Sequence, residues 1–373
     1  MPNLVEINLR DAAIEDGGMV AIADAFREGG AAKGLTALDV SGNDLTAESM
    51  PALGQMLRVS GALRTLQVEE NEIGSKGAKA IAKALKIGSP VLEKVVANVN
   101  EIGASGALAL VKAVVDKNTF AKLDVDGNQI SADGVASIET LLEMANVLAQ
   151  CKKLTLLRYA SARAGPEASA QMVRSVNSHL RALKSLDLSD CSFEDDGATQ
   201  LAEAISKQPN LQYLKLRDAS LCAEGAEKVA KALASNKIQL VELDLSGNEL
   251  ADEGIASLAP LLKSQSSLKV LRLDENEVTS EGLKKFVAAL STDSLPVLEE
   301  LSLCGNEITA KGAIAVVDTF VPSKPALTRL ELDTNMISDK GVEYVKASLV
   351  KQGKSSILGS LEENDGDEES DDE

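Results

Sequence analysis

Five groupings in this sequence carry residue types that do chemistry elsewhere. Asp124-Val-Asp126-Gly-Asn128 opens like a calcium loop, but such a loop needs a glutamate at its twelfth position, where Val135 stands. Gly353-Lys354-Ser355 ends like a phosphate-cradling P-loop, yet the glycine required five residues before Gly353 is Ser348. Gly29, Gly30 and Gly34 miss the dinucleotide fingerprint, because Ala31 occupies the place of its middle glycine. His179 is the only imidazole, so a His-assisted nucleophile or a multi-histidine metal site has nothing to pair it with. Cys151, Cys191, Cys222 and Cys304 lie far apart without CxxC spacing, and read as reduced thiols that behave as small apolar side chains. The expectation is no cofactor, no metal, no small-molecule substrate and no self-contained catalytic centre.

Composition narrows the partners instead. The 373 residues hold 38 Lys+Arg against 57 Asp+Glu, a net charge of −19. Nine of those acids fall in the last twelve residues, and the body without them still carries −10. Such a surface repels nucleic acid and anionic membranes and favours a basic partner. Aromatic residues make up 2% with no Trp, too few for base-stacking platforms. Met1–Arg10 lacks a basic-then-apolar leader pattern, and no apolar run approaches the roughly 18 residues of a membrane span. A protein of the reducing cytoplasm or the nucleus is expected.

The elements that position these groups come from a repeat. Leu240-Val-Glu-Leu243-Asp-Leu245-Ser-Gly-Asn248-Glu-Leu250, followed by Gly254, recurs around Asn276 with Gly282 and around Asn306 with Gly312. Twelve copies align at positions 12, 43, 71, 100, 128, 162, 191, 219, 248, 276, 306 and 335, most of them 28 or 29 residues apart. This is a leucine-rich repeat of the long, helix-containing kind. In each copy L-x-x-L-x-L alternates with period two, as a strand with one buried face must. The aligned Asn then bonds backbone where the chain leaves the strand, and stacked copies form a ladder. A helix follows, such as 77–85, with Ala78, Ile81, Ala82 and Leu85 on one stripe. Strands stack about 4.8 Å apart while helices need about 8–10 Å, so the stack curves. The expected fold is an α/β leucine-rich-repeat solenoid, a horseshoe with a parallel sheet on its concave face and helices on its convex face.

Each repeat touches only its neighbours, so one solenoid over residues 1–357 is expected despite the length. The one 34-residue step places an insertion near residues 143–152 and suggests a seam there. Residues 358–373 read as a disordered acidic tail. Ladder positions lacking Asn are Ala12, Ala162, Cys191 and Ala219. Outward-facing strand positions carry Asp124, Arg158, Asp187, Asp244 and Arg272 in one row, and Asp126, Arg217 and Asp274 in the next. These eight are the candidate partner-binding residues, because a charged row on a concave sheet tunes protein association.

Three features are similar to Ran GTPase-activating proteins of the plant and algal type: Phe120-Ala-Lys-Leu-Asp-Val-Asp-Gly-Asn-Gln-Ile-Ser131, Leu157-Arg-Tyr-Ala-Ser-Ala-Arg-Ala-Gly165, and the acidic ending from Ile357. The generic repeat is shared with ribonuclease inhibitors, whose Asn/Cys alternation Cys191 fits. The resemblance implies binding of a Ran-type small GTPase in its GTP state at one rim and promotion of its hydrolysis, in the cytoplasm or near the nucleus. Such an activator is not itself an enzyme with an active site. The family uses a Gly-Arg-containing loop and an asparagine just before a ladder position. This chain has no Gly-Arg dipeptide, and Asn98 lies one place from the required position. Arg163, just after a ladder position, is the candidate catalytic arginine in their stead. The alternative is a non-catalytic scaffold or inhibitor-like binder of another basic protein.

Overall fold

The computed structural model describes residues 4–28, 31–130, 140, 143, 144, 146–148, 150–158, 166, 169, 170, 172–174, 180–290 and 293–366. Ala162, Arg163, His179, part of the segment 143–152 and the acidic residues from Asp367 onward lie outside the described residues. Two compact units divide the chain, Met1–Cys191 and Ser192–Glu373. The division therefore falls after the segment 143–152, within the seventh repeat, between its strand and the helix Glu194–Ser206. It lies within the run Ala162, Cys191, Ala219, three consecutive ladder positions without an asparagine.

Every repeat contributes one three-residue strand. The first unit holds β1 (Glu6–Asn8), β2 (Ala37–Asp39), β3 (Thr65–Gln67), β4 (Lys94–Val96), β5 (Lys122–Asp124), β6 (Leu156–Arg158) and β7 (Ser185–Asp187). The second holds β8 (Tyr213–Lys215), β9 (Glu242–Asp244), β10 (Val270–Arg272), β11 (Glu300–Ser302) and β12 (Arg329–Glu331). Within each unit the strands stand in chain order and run parallel. The register places leucine against leucine: Leu38 opposite Leu66, and Leu243 opposite Leu271 opposite Leu301. The middle residue of each strand is buried, so the two flanking residues face away from the core.

Helices follow the strands and cover the buried side. The helix Gly74–Ile87 buries Gly77, Ala78, Ile81, Ala82 and Leu85, the stripe expected from its spacing. Gly77 is needed for close approach, since a Cβ there would lie 2.9 Å from Met50 Cγ of the preceding helix Met50–Val59. Helices are wider than strands, so each unit curves with its strands on the inner side.

The aligned asparagines do the stitching. Asn248 Oδ1 accepts the amides of Ala219 (3.1 Å) and Leu221 (3.2 Å) in the preceding repeat. Its Nδ2 donates to the carbonyls of Leu216, Leu245 and Ser246 at 2.7, 2.8 and 3.1 Å. Asn43, Asn128 and Asn335 make the same five bonds. Where Ala12 and Ala219 replace the amide, the next asparagine still takes their backbone N–H. Among the described asparagines the ladder is interrupted between Asn71 and Asn100, where the buried Asn100 Oδ1 has no partner and the Asn71 amide donates to Val99 O instead.

The residue before each described ladder position is left-handed, with φ between +50° and +68°. Gly42, Gly127, Gly247 and Gly305 adopt this without strain, whereas Val99, with φ of 50°, places a β-branched side chain in a region it avoids.

At the carboxyl end the expected tail is in part built into the fold. Leu358 bridges Leu330, Gly359 N donates to Leu330 O at 3.0 Å, and Asp365 N donates to Asn335 O at 3.0 Å. Asn364 continues the ladder by accepting the Asn335 amide at 2.9 Å, and Leu361 is buried. Residues 358–366 are thus a helix-less half-repeat seated on β12, which gives the last strand a hydrogen-bonding neighbour.

Asn248→Ala removes the partner of two buried amides and of the Leu216 carbonyl, while Leu245 O and Ser246 O keep their other donors, and should lower stability by about 3 kcal/mol. Val99→Gly relieves the left-handed valine and should raise it by about 1 kcal/mol. Urea titration followed by far-ultraviolet circular dichroism reads both, in opposite directions.

Candidate functional site

The outward strand positions carry a charged face in each unit. In the first unit Arg158 on β6 lies between two carboxylates, with Asp124 Oδ2 on β5 at 3.3 Å and Asp187 Oδ2 on β7 at 3.2 Å. Adjacent strands place these side chains side by side, since Asp124, Arg158 and Asp187 are register partners. Asp187 is only 7% exposed and also accepts the Ser189 hydroxyl at 2.8 Å. Burial pushes the Asp124 and Asp187 carboxyls above the usual range, and Arg158 offsets only part of that. The Asp126 amide donates to Asn98 Oδ1 at 2.9 Å, holding the next row in place. Further along, Arg10 binds Glu69 at 3.2 Å and Glu70 at 2.6 Å, reaching across the intervening repeat of Ser41 and Gly42.

The second unit has a longer run. Lys215 Nζ lies 3.0 Å from Glu242 Oε1, Arg272 Nη1 reaches the same Glu242, and Arg272 Nη2 lies 2.8 Å from Glu300 Oε1. Burial pushes the Glu242 carboxyl up, but Lys215 and Arg272 together hold it below the usual range. Asp274 accepts the Ser302 hydroxyl at 2.5 Å and the Cys304 amide at 2.8 Å, and burial pushes it upward. Asp244 is 8% exposed and accepts the Ser246 amide at 3.1 Å. Arg217 binds Asp218 at 3.1 Å and Glu275 at 2.8 Å, and also feels Asp244.

All eight candidate residues therefore lie on these faces, in two groups. Asp124, Arg158 and Asp187 form one cluster with Asp126 beside it, and Arg217, Asp244 and Asp274 share a field in the other. Arg272 belongs to a chain whose partners, Glu242 and Glu300, the leucine-to-leucine rows leave out. Both sit on the first residue of a strand, one place before the central leucine. The charge alternation Lys215, Glu242, Arg272, Glu300 through aligned repeats is the signal that marks them. Arg163 lies outside the described residues.

Nothing on these faces converges for bond-making. Among the described residues no group of three or more His, Cys, Asp or Glu could hold a metal ion, and no helix is long and apolar enough to cross a membrane. Burial pushes the Cys151 thiol up to about 11, and the Cys191 thiol higher still. Both are therefore thiols rather than thiolates at neutral pH. A cavity of about 530 Å³ opens between loops beside Lys117, Phe120 and Cys151. Its Lys117 amine is occupied by Gly88 O at 2.9 Å, a structural tie to the preceding repeat.

Comparison with known proteins agrees with this construction. The family pattern described as Leucine Rich repeat matches residues 1–23, 35–54, 63–82, 176–202, 233–259, 264–287 and 294–317. The chain carries leucine-rich repeats and is similar to ribonuclease inhibitors over most of its length. It is 28% identical to the ribonuclease inhibitor of Sus scrofa over 336 residues, covering 89% of this chain and 71% of that one. It is 31% identical to RAN GTPase-activating protein 2 of Arabidopsis thaliana over 157 residues, which is 42% of this chain and 27% of that protein. A solved structure of the yeast Rad7 and Elc1 complex superposes with a TM-score of 0.50 at 12% identity, covering 89% of this chain and 81% of that one, a likeness of fold alone.

Two substitutions test the electrostatics. Asp124, Asp187 and Asp274 titrate above their unfolded values, so ionising them costs stability; that cost is absent below the unfolded pKa and sets in as pH rises through the folded one. Arg158→Met removes the cation shared by Asp124 and Asp187 and should cost about 2 kcal/mol at pH 7. The loss should shrink as the pH is lowered toward the carboxylate range. Asp274→Asn should raise the urea midpoint at pH 7 and lose that advantage below about pH 4.

Proposed function

We propose that this protein is a regulator that acts by contact: its strand-side face docks a Ran-type small GTPase in the GTP state and promotes hydrolysis in the partner's own active site. The observation that carries the reading is the pair of preorganised acidic faces, built around Arg158 and Arg272, in a chain whose described residues hold no cluster that could bind a metal ion. The similarity to RAN GTPase-activating protein 2 supports the choice of partner over part of the chain. Net charge of −19 supports a basic docking surface on it. Four free cysteines, two of them buried, fit the cytoplasm or the nuclear periphery, where such an encounter would occur.

A second reading follows from the longer similarity to a ribonuclease inhibitor, which covers 89% of this chain: a binder that occludes a basic protein without stimulating any reaction. It uses the same faces and differs only in what happens after docking.

Single-turnover hydrolysis on GTP-loaded Ran, with this protein in catalytic amounts, separates the two. The activator reading expects at least about tenfold acceleration, well within the range that activators supply. Docking without acceleration leaves the binder, and no docking at all removes the GTPase as partner. Where docking occurs, Asp244→Lys should weaken it by about tenfold and reduce its salt dependence, because a like charge replaces a complementary one on the face.

A further inference from the structure

The half-repeat formed by residues 358–366 is held lightly. Three backbone amides tie it to the last repeat, Gly359 to Leu330 O (3.0 Å), Glu363 to Asp333 Oδ1 (2.9 Å) and Asp365 to Asn335 O (3.0 Å). The Asn335 amide donates in return to Asn364 Oδ1 at 2.9 Å. Leu361 is the buried leucine of the segment, and among the described residues no helix follows it.

Its charges are nearly all of one sign. Glu331 lies directly over Gly359, with Oε2 only 1.9 Å from where a Cβ would stand. Asp333 Oδ1 takes the Glu363 amide, and Glu362, Glu363 and Asp365 follow within the segment itself. The near cation is Arg329, whose Nε is already 2.6 Å from Glu331 Oε1. In the middle of this field stands Ser360, exposed, its Oγ accepting the Glu362 amide at 3.2 Å.

We propose that Ser360 is a phosphorylation site for an acid-directed protein kinase, and that its phosphate detaches residues 358–366 from the last repeat. Glutamates two and three residues after the hydroxyl, Glu362 and Glu363, are the complement of a basic substrate groove. Ser192 and Ser370 also have downstream acids, but Ser192 is only half exposed at the entry to the helix Glu194–Ser206, and Ser370 lies outside the described residues. In the transfer, Ser360 Oγ attacks the γ-phosphorus of ATP, the bond to the β-phosphate oxygen breaks, and ADP leaves. The hydroxyl proton passes to the kinase's base.

The product adds nearly two negative charges beside Glu331, Asp333, Glu362 and Glu363, with one arginine already shared among them. Like-charge repulsion then opposes six hydrogen bonds, counting the longer ones from Thr334 Oγ1 to Glu363 (3.5 Å) and from Asn364 Nδ2 to Asp333 Oδ1 (3.4 Å), and one buried leucine, and the segment lets go. Release exposes the N–H and C=O groups of β12 that Leu358 and Gly359 cover, which makes β12 an available strand edge.

The full chain is treated with casein kinase 2 and ATP, mapped by mass spectrometry, and followed by amide hydrogen exchange. The expected outcome is a phosphate on Ser360, with exchange at Gly359, Glu363 and Asp365 faster by at least about tenfold and the other repeats unchanged. Ser360→Ala, treated alike, should keep its protection even when serines elsewhere are modified. Glu331→Gln should blunt the acceleration, since it removes one of the repelling carboxylates. No phosphate on Ser360 overturns the proposal, and so does a phosphorylated chain whose three amides keep their original protection, as would follow if Arg329 left Glu331 for the phosphate.

Discussion

A side-chain amide that reaches both ways along the stack is the constraint on which everything else rests. The chain must leave each three-residue strand through a turn that has no regular partner, and it must do so within the protein. An asparagine closes that account, because it has two donors and an acceptor on one short arm. Its Nδ2 takes carbonyls of its own strand end and of the preceding one, and its Oδ1 takes two amides of the preceding loop, as Asn248 and Asn335 show. The side chain therefore fixes the register between neighbours as well as the turn itself. The strand rows, and the charges they carry, inherit their alignment from it.

That alignment explains how acids can be held on the strand faces at all. Carboxylates with little exposure, such as Asp187 and Asp244, are costly unless something near them answers the charge. In the first unit one arginine answers two aspartates; in the second, Lys215 and Arg272 flank Glu242. Burial still wins at Asp124, Asp187 and Asp274, whose carboxyls are pushed up despite their partners. The faces are thus kept at some expense in stability, a pattern expected of a surface maintained for binding rather than for folding.

Periodicity made most of the fold legible. The spacing of leucines and asparagines placed all twelve strands, and the Ala-rich stripe of 77–85 named the buried side of its helix. What it did not disclose depends on backbone angles and on neighbours two repeats away. A left-handed turn residue is readable where it is Gly42 or Gly127, but not where it is Glu70, Val99 or Thr334, because nothing local in those side chains favours positive φ. Arg10 pairs with Glu69 and Glu70, about sixty residues along, and Glu242 and Glu300 join Arg272 from a strand position that alternation assigns no role. The half-repeat at the end was hidden by composition: acid-rich residues read as a tail, while Leu361 and Asn364 keep the repeat's own three-residue spacing within it.

The paired faces also limit what kind of partner can use them. Arg158 and Arg272 already occupy the carboxylates that an incoming lysine or arginine would seek, so a basic group gains little by adding charge alone. It must offer better geometry than the resident arginine, or take the resident arginine for an acid of its own. Either exchange depends on the positions of several groups at once, which the asparagine-set register holds in fixed rows. Nonspecific basic surfaces meet the overall negative field but cannot make the exchange. A face that is acidic in sum and satisfied in detail would draw in many basic surfaces and retain few, which is the behaviour the proposed contact-acting regulator requires.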